Sequence, residues 1–211
     1  MGESIKRIVG PYQDSYSPNG IIGEKDACGV GFIANIKGVE SNWILKQSLK
    51  GLNCMEHRGG CGGDSDSGDG AGILCSIPWG YLEEKINLKN TQEFNRGLGM
   101  VFMPNKKEKI EICKSICDEE AEKLKVNKTS WRTVPVNNEI LGPLAKANAP
   151  FICQWILYID KKDHQDVERL LFQLRKRIEK KIRETFKNDV GDCEFYFASL
   201  SSQTVVYKGM V

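Results

Sequence analysis

The sequence has few of the side chains on which metal and nucleic-acid sites depend. It contains two histidines, His57 and His164, and no two of its eight cysteines are separated by two residues. A zinc site needs closely spaced cysteine or histidine ligands, so no metal site is expected. The formal net charge is +2, which is too small to favour nucleic acid or an anionic membrane as the main partner.

Long apolar runs are also missing. No stretch approaches the roughly 18 apolar residues of a membrane-spanning helix, and residues 1–27 lack the apolar centre of a secretory signal. The cysteines lie in apolar patterns of a long chain, where disulfides are less expected than in a small secreted domain. We therefore expect reduced thiols in an intracellular compartment, with the choice between cytoplasm and a plastid-like organelle left open.

The hydrophobic pattern predicts that helices and strands alternate along the chain. A hairpin is expected to end it, joining residues 194–200 to 204–208, and residues 59–72 and 137–150 are expected to be loops. Strands are predicted at 29–36, 73–77, 97–103, 131–136 and 151–159, and helices at 41–56, 78–86, 105–125 and 163–186. The residues by themselves thus predict an α/β layered protein with mixed sheets.

Cys28 is the first candidate for chemistry. It stands directly before a glycine, at the start of the apolar run 29–36. If residues 1–27 were removed, its α-amine, with a pKa of about 8, could accept the proton of its own thiol. The plainer interpretation is that a cysteine at the start of a strand fills space in the core.

Two glycine-containing motifs follow Cys28, at residues 57–60 and 68–72. Arg58 offers planar donors that suit a carboxylate, and the neighbouring glycines leave backbone N–H groups open to a ligand. Each motif alone is also compatible with a solvated arginine or a tight turn. Neither has the spacing of a nucleotide-binding loop, and His57 as a base for Cys28 is a weaker alternative.

Taken together and in this order, the motifs resemble the start of the glutamine amidotransferase domain of the glutamate synthase family. The resemblance begins with Asp-Ala-Cys-Gly-Val-Gly-Phe-Ile-Ala at residues 26–34 and includes the His-Arg-Gly turn that contains Arg58. It continues through residues 67–73, 97–104, 131–135 and 199–210.

The resemblance implies an α+β fold, the four-layer α/β/β/α sandwich of N-terminal-nucleophile hydrolases. Residues 1–27 would be a propeptide, and residues 28–211 would be the N-terminal part of a type-2 glutamine amidotransferase domain. The family completes its glutamine clamp and oxyanion hole with Arg-Phe/Tyr-Ser-Thr-Asn-Thr and Asn-Gly-Glu-Ile-Asn-Thr stretches, and neither occurs in these 211 residues. We therefore expect an incomplete sandwich, a fragment that is inactive alone.

The function implied by the resemblance is release of ammonia from glutamine through a Cys28 thioester. The ammonia would serve the reductive amination of 2-oxoglutarate to glutamate. Cys28 would be the catalytic nucleophile, and Arg58 and Gly59 would bind the substrate. No cofactor is expected in this chain, whereas the full-length enzyme is implied to use FMN, an iron–sulfur cluster and NAD(P)H or ferredoxin. The implied partners are glutamine and the remainder of the glutamate synthase polypeptide, with no nucleic acid and no membrane.

Two alternatives stay open. The chain could belong to a related amidotransferase that delivers ammonia to another acceptor, or it could be a non-catalytic remnant that acts as a binding module. The electron donor, the oligomeric state and the removal of residues 1–27 are not determined by the sequence.

Overall fold

The computed structural model describes residues 29–55, 64, 66–68, 70–86, 94–160, 163–187 and 194–209. The chain divides into two compact units, Met1–Val30 and Gly31–Val211, and the elements below belong to the second. The described residues form five α-helices, one 3₁₀ turn and six strands: α1 Asn42–Asn53, β1 Ala71–Ser76, α2 Trp79–Ile86, β2 Phe94–Met103, α3 Lys107–Lys123, β3 Lys128–Thr133, the 3₁₀ turn Asn138–Ile140, α4 Pro143–Ala147, β4 Phe151–Asp160, α5 His164–Thr185, β5 Tyr196–Ser201 and β6 Thr204–Gly209.

The strands form two sheets, one of four strands in the order β3-β4-β2-β5 and one of two strands, β1-β6. Every strand pair among the described residues is antiparallel, so the prediction of mixed sheets is wrong. Helix α3 does connect two strands of the same direction, β2 and β3, and α5 does the same for β4 and β5. In each case another strand lies between the two and pairs antiparallel with both.

One face of the four-stranded sheet packs against α3 and α5. Strand side chains alternate between faces, and this face receives Val101, Met103, Trp155 and Leu157. Both helices bury an apolar stripe against it: Ile110, Cys113, Cys117 and Ala121 on α3, and Val167, Leu171, Leu174, Ile178 and Ile182 on α5. We call this cluster the helix-side core.

The opposite face of the same sheet packs against β1, β6 and α2. This inter-sheet core contains Leu98, Met100, Phe102, Ile156 and Tyr158 of the large sheet, together with Ile77, Leu82 and Val205. Helix α1 contacts β1. The described elements thus form part of an α/β/β/α sandwich, as predicted, with α3 and α5 on one side and α1 on the other.

The strand predicted at residues 29–36 is not formed. Residues 29–35 have neither helix nor strand conformation, and Val30 and Phe32 are 90% and 94% exposed. A strand needs a neighbour for its backbone N–H and C=O groups, and no strand in the described part of the chain pairs with this segment. The next element agrees with prediction, because the Ser41 side chain accepts a hydrogen bond from the backbone N–H of Ile44 and caps α1.

The predicted hairpin at the end of the chain is also wrong. Strand β5 pairs with β2, whereas β6 pairs with β1 in the other sheet. The chain turns between them at Ser202 and Gln203, where Glu168 of α5 accepts hydrogen bonds from the backbone N–H (2.7 Å) and the hydroxyl (2.6 Å) of Ser202. This sheet-to-sheet corner is therefore held by a helix, not by a ladder between β5 and β6.

The segment 137–150 is more regular than the predicted loop. It contains the 3₁₀ turn and α4, whose Pro143 suits a first helical turn because that position needs no backbone N–H donor. Asp163 stands at the N-cap of α5, as predicted, but its side chain makes no capping hydrogen bond. Among the described helices, none combines the length and the apolar character required to cross a membrane.

Candidate functional site

The predicted site residues Cys28, Arg58 and Gly59 lie outside the described residues, as does the alternative base His57. Their roles therefore remain predictions. The structure does describe the chain on both sides of Arg58. Helix α1 ends before it, at Asn53, and the description resumes after it at residue 64.

Asp64 connects this region to a segment 80 residues further along the chain. Its Oδ1 accepts a hydrogen bond from the backbone N–H of Ser67 at 2.7 Å, and its Oδ2 accepts one from the backbone N–H of Leu144 at 2.9 Å. Hydrogen bonds to a carboxylate stabilise its ionised form. The bond from Leu144, followed by those from Ser67, lowers the pKa of Asp64 from its ordinary value.

Ser67 makes a second contact between the same two segments. It is buried, and its Oγ accepts a hydrogen bond from the backbone N–H of Ala145 at 3.0 Å. The first N–H groups of a helix have no partner within the helix, and the N-cap residue Gly142 has no side chain to supply one. Asp64 and Ser67 therefore cap α4 from a distant part of the sequence.

Gly142 lets the two segments approach each other. A Cβ atom at this position would lie 2.5 Å from both the carbonyl carbon of Asp66 and the Oγ of Ser67. The φ angle of Gly142 is −61°, which any residue can adopt, so the close approach alone requires a glycine here. We call the contact of Asp64 and Ser67 with Gly142, Leu144 and Ala145 the loop anchor.

The structure explains why two positions of the motif at residues 68–72 are glycine. Gly70 has a φ of +91°, a conformation that residues with a Cβ rarely adopt. At Gly72 a Cβ would lie 2.8 Å from the Cβ of Lys208 on the paired strand β6. Gly70 fits the tight-turn interpretation of the motif, whereas Gly72 lies in β1 and is required by the close approach to β6.

A cavity of about 650 Å³ opens beside this motif, a volume in the range of small-molecule sites. Segment 136–150 forms one wall. The rings of Phe102 and Tyr196 are stacked in another wall, with centroids 4.9 Å apart. Lys208 Nζ lies 4.6 Å from the Tyr196 centroid. The remaining wall is largely apolar, and Lys208 provides the charged group.

Two buried thiols, those of Cys117 and Cys153, are not suited to nucleophilic or metal chemistry. Burial raises the pKa of Cys153 to about 12, and burial followed by the nearby Cys113 and Asp118 raises that of Cys117. Thiolates, the reactive and metal-binding form, are therefore disfavoured at both positions. Within the described ranges, no three histidine, cysteine or acidic side chains come together to hold a metal ion.

Residues 28–211 match the family of class II glutamine amidotransferases. The chain belongs to this family. It is 41% identical over 95% of its length to a chloroplastic ferredoxin-dependent glutamate synthase of Oryza sativa subsp. japonica. It is 41% identical over 90% of its length to ferredoxin-dependent glutamate synthase 1 of Arabidopsis thaliana, and 39% identical over its whole length to the ferredoxin-dependent glutamate synthase of Pyropia yezoensis.

This class II amidotransferase chain is short beside those relatives. It covers 12% of the Oryza and Arabidopsis proteins and 14% of the Pyropia protein. The relatives thus share with this chain a segment of about 200 residues, and the greater part of each lies outside the match.

The sequence did not single out the loop anchor. Ser67 directly precedes the glycine motif, and Asp64 and Gly142 stand outside the motifs that carry the resemblance. One sequence signal was available: Gly142 and Pro143 mark a helix start that lacks a local capping side chain.

Proposed function

We propose that this chain is part of the glutaminase of a glutamate synthase. The Cys28 thiolate attacks the side-chain amide carbon of glutamine, the carbon–nitrogen bond breaks, and the leaving nitrogen takes up a proton and departs as ammonia. Water then attacks the γ-glutamyl thioester and releases glutamate and the thiol. The observation that carries this proposal is the amidotransferase match from Cys28 to Val211, together with 39–42% identity to ferredoxin-dependent glutamate synthases.

In this proposal the predicted site residues have separate tasks. Removal of residues 1–27 exposes the α-amine of Cys28, which accepts the thiol proton and later returns one. Arg58 binds the substrate carboxylate through its planar guanidinium, and Gly59 leaves backbone N–H groups accessible to the substrate. A thiolate formed near neutral pH is a good nucleophile for an amide carbon.

The remainder of the full-length polypeptide is proposed to use the ammonia for the reductive amination of 2-oxoglutarate. The names of the relatives favour ferredoxin over NAD(P)H as the electron donor. FMN and an iron–sulfur cluster would bind outside this chain, and in the part that the structure describes no three metal-ligating side chains converge.

Glutamine hydrolysis by the full-length polypeptide tests the proposal. Cys28→Ala is expected to lower turnover at least about a thousandfold, because the attacking sulfur is removed. Cys75→Ala, which removes a half-buried thiol from β1, is the matched control and should retain activity within a few-fold. The electrophile 6-diazo-5-oxo-norleucine should add one adduct, located by mass spectrometry at Cys28.

Two further protein samples, assayed in the same way, test the two remaining expectations of the proposal. The purified 211-residue chain should not turn over glutamine, because it lacks the family's oxyanion-hole stretch. Full-length protein whose sequenced N-terminus is still Met1 should also be inactive, because the free α-amine of Cys28 is missing. Turnover by the 211-residue chain that Cys28→Ala abolishes would contradict the first expectation, and activity with an intact Met1 terminus would contradict the second.

A further inference from the structure

The cavity beside the glycine motif lies where three strands of the large sheet meet one end of the small sheet. The register pairs Ile152 with Phe102 and Phe102 with Tyr196, so these three side chains form a row across β4, β2 and β5. Lys208 lines the cavity from β6 of the small sheet. The volume of about 650 Å³ is enough for a small organic molecule.

Two contacts hold the ammonium group of Lys208 at the wall of this cavity. Its Nζ lies 4.6 Å from the ring centroid of Tyr196 and 5.6 Å from that of Phe102, within the range of cation–π attraction. Gly72 stands opposite Lys208 on β1, and the Lys208 Cβ lies in the space that a side chain at Gly72 would need. One glycine of the motif therefore makes room for the lysine.

The charge of Lys208 has no counter-charge in this cavity. Lys208 forms no ion pair in the part of the chain that the structure describes, and none of the described residues that line the cavity is acidic. Asn137, which also lines it, accepts a hydrogen bond from the backbone N–H of Glu139 through its Oδ1 at 3.1 Å. Its N–H2 group is thereby left to donate. A cation and an amide donor together suit an anionic ligand.

The rest of the lining offers open apolar surface. Val136 and Ile140 line the cavity and are 53% and 77% exposed. An apolar ligand group that covers such side chains removes their surface from water, which favours binding. Lys208 is the single charged side chain among the described lining residues, so a second charged group on the ligand would lose water without gaining a partner.

We propose that this cavity binds a small organic monocarboxylate with an apolar or aromatic body. The carboxylate pairs with Lys208 and accepts a hydrogen bond from Asn137, and the body lies against the apolar lining. An amino acid such as glutamine fits less well, because none of the described lining residues is acidic and could receive its ammonium group. This inference goes beyond the glutaminase and does not depend on the roles proposed for Cys28, Arg58 and Gly59.

Binding of 3-phenylpropionate to the full-length polypeptide tests this site. The matched ligand control is 3-phenylpropanamide, which has the same body without the charge. Titrations followed by saturation-transfer-difference NMR should give a Kd of about 1 mM for the carboxylate, as expected for a ligand of this size. The amide should bind about tenfold more weakly because the charge is lost. L-Glutamate at the same concentration should not displace the carboxylate.

Matched variants locate the bound probe. Lys208→Met should raise its Kd about tenfold, and Lys208→Arg, which keeps the charge, should stay within about threefold of the parent. Lys107→Met, at an exposed position at the start of α3, should leave the Kd unchanged. Ile140→Asp places a carboxylate in the lining and should weaken binding at least about tenfold, whereas Ile112→Asp, at a position of α3 that is 41% exposed, should not.

Three results would overturn the proposal: no binding of 3-phenylpropionate to the parent at about 10 mM, equal affinities for the carboxylate and the amide, or an unchanged Kd in Lys208→Met. Displacement by L-glutamate at equal concentration would refute the preference for an apolar body. Lys208 and Ile140 are exposed, so their variants should fold, and thermal unfolding checks this. Turnover by Cys28→Ala tests the proposed function separately.

Discussion

The two outer sides of the pair of sheets are covered to very different extents. On the helix side, Trp155, Leu171 and Leu174 are fully buried. On the other side, β1 alternates half-buried and exposed residues, Leu74 is 65% exposed, and α1 has no buried residue. Exposed apolar surface of this kind usually meets another surface. The helix-side core is thus complete within these residues, whereas the side that carries the glycine motif is only partly covered by them.

The two faces of the four-stranded sheet, the helix side and the inter-sheet side, differ in how their polar groups are satisfied. On the helix side, Asp118 accepts hydrogen bonds from Thr129 Oγ1 (2.7 Å) and from the indole N–H groups of Trp131 and Trp155 (both 3.0 Å). Between the sheets, the fully buried Gln154 accepts from Arg132 at 2.7 Å and donates to the Tyr207 hydroxyl at 3.0 Å. On the helix side a single carboxylate, that of Asp118, is the shared acceptor. On the inter-sheet side, a series of hydrogen bonds through Arg132, Gln154 and Tyr207 links the two sheets.

The largest effect should come from Trp155→Ala in the helix-side core. This residue is fully buried, stacks on Trp131 with centroids 5.3 Å apart and donates to Asp118. We expect the free energy of unfolding in urea to fall by about 3–5 kcal/mol. The matched control, Trp43→Ala on α1, removes a side chain that is 64% exposed and should cost about 0.5 kcal/mol or less. Similar losses at the two positions would refute the contrast between the two outer sides.

A smaller, pH-dependent effect is expected from Glu120→Gln. The buried Glu120 accepts hydrogen bonds from Lys123 (2.6 Å) and Arg177 (2.8 Å), and these, with Lys123 first, lower its pKa. A carboxyl whose pKa is lower in the folded state stabilises the fold above its unfolded pKa, and that contribution is lost as the pH falls through the folded value. The variant should lose about 1–3 kcal/mol at pH 7.

The pH dependence provides the check on that prediction. Urea unfolding of Glu120→Gln and the parent should give converging free energies as the solution is acidified below the ordinary glutamate pKa. Glu122→Gln, at an exposed position of the same helix, should differ little from the parent at any pH. A loss in Glu120→Gln that persists unchanged in acid would show that the ion pairs do not cause it.

The smallest effect should come from Tyr207→Phe between the sheets. The change removes the acceptor of the Gln154 amide N–H while keeping the ring, so we expect a loss of about 1 kcal/mol in urea unfolding. Tyr81→Phe, at a position that is 48% exposed, should be neutral. An unchanged free energy of unfolding in Tyr207→Phe would mean that the hydrogen bond from Gln154 to Tyr207 does not stabilise the packing of the two sheets.

The sequence predicts well those elements whose hydrophobic pattern is local, that is, contained within a few helical turns or a few strand residues. Helix α5 was predicted because its apolar residues repeat with the helical period, and β4 because a short, nearly all-apolar run is typical of a strand covered on both faces. Pairing is different, since it depends on strands far away in the sequence. The residues of β5 and β6 have strand character, but nothing in them states that one joins β2 and the other joins β1.

The candidate site was predictable to a different degree. Its motifs led to the family, which the match from residue 28 to residue 211 confirms, while the positions of Cys28, Arg58 and Gly59 stay predictions. The loop anchor could not be found by pattern, because helix caps are normally read within four residues and Ser67 caps a helix 78 residues away. Only the folded chain brings those groups together.

The sheet-to-sheet corner at Ser202 and Gln203 couples the two sheets mechanically. The Ser201 hydroxyl oxygen accepts hydrogen bonds from the backbone N–H groups of Gln203 (3.1 Å) and Thr204 (3.3 Å), so the chain passes from β5 to β6 in a compact turn. Glu168 of α5 holds that turn through Ser202. A displacement of β6 away from β5 would therefore also strain the hydrogen bonds to α5, so that a movement of one sheet is transmitted to the helix beyond the other.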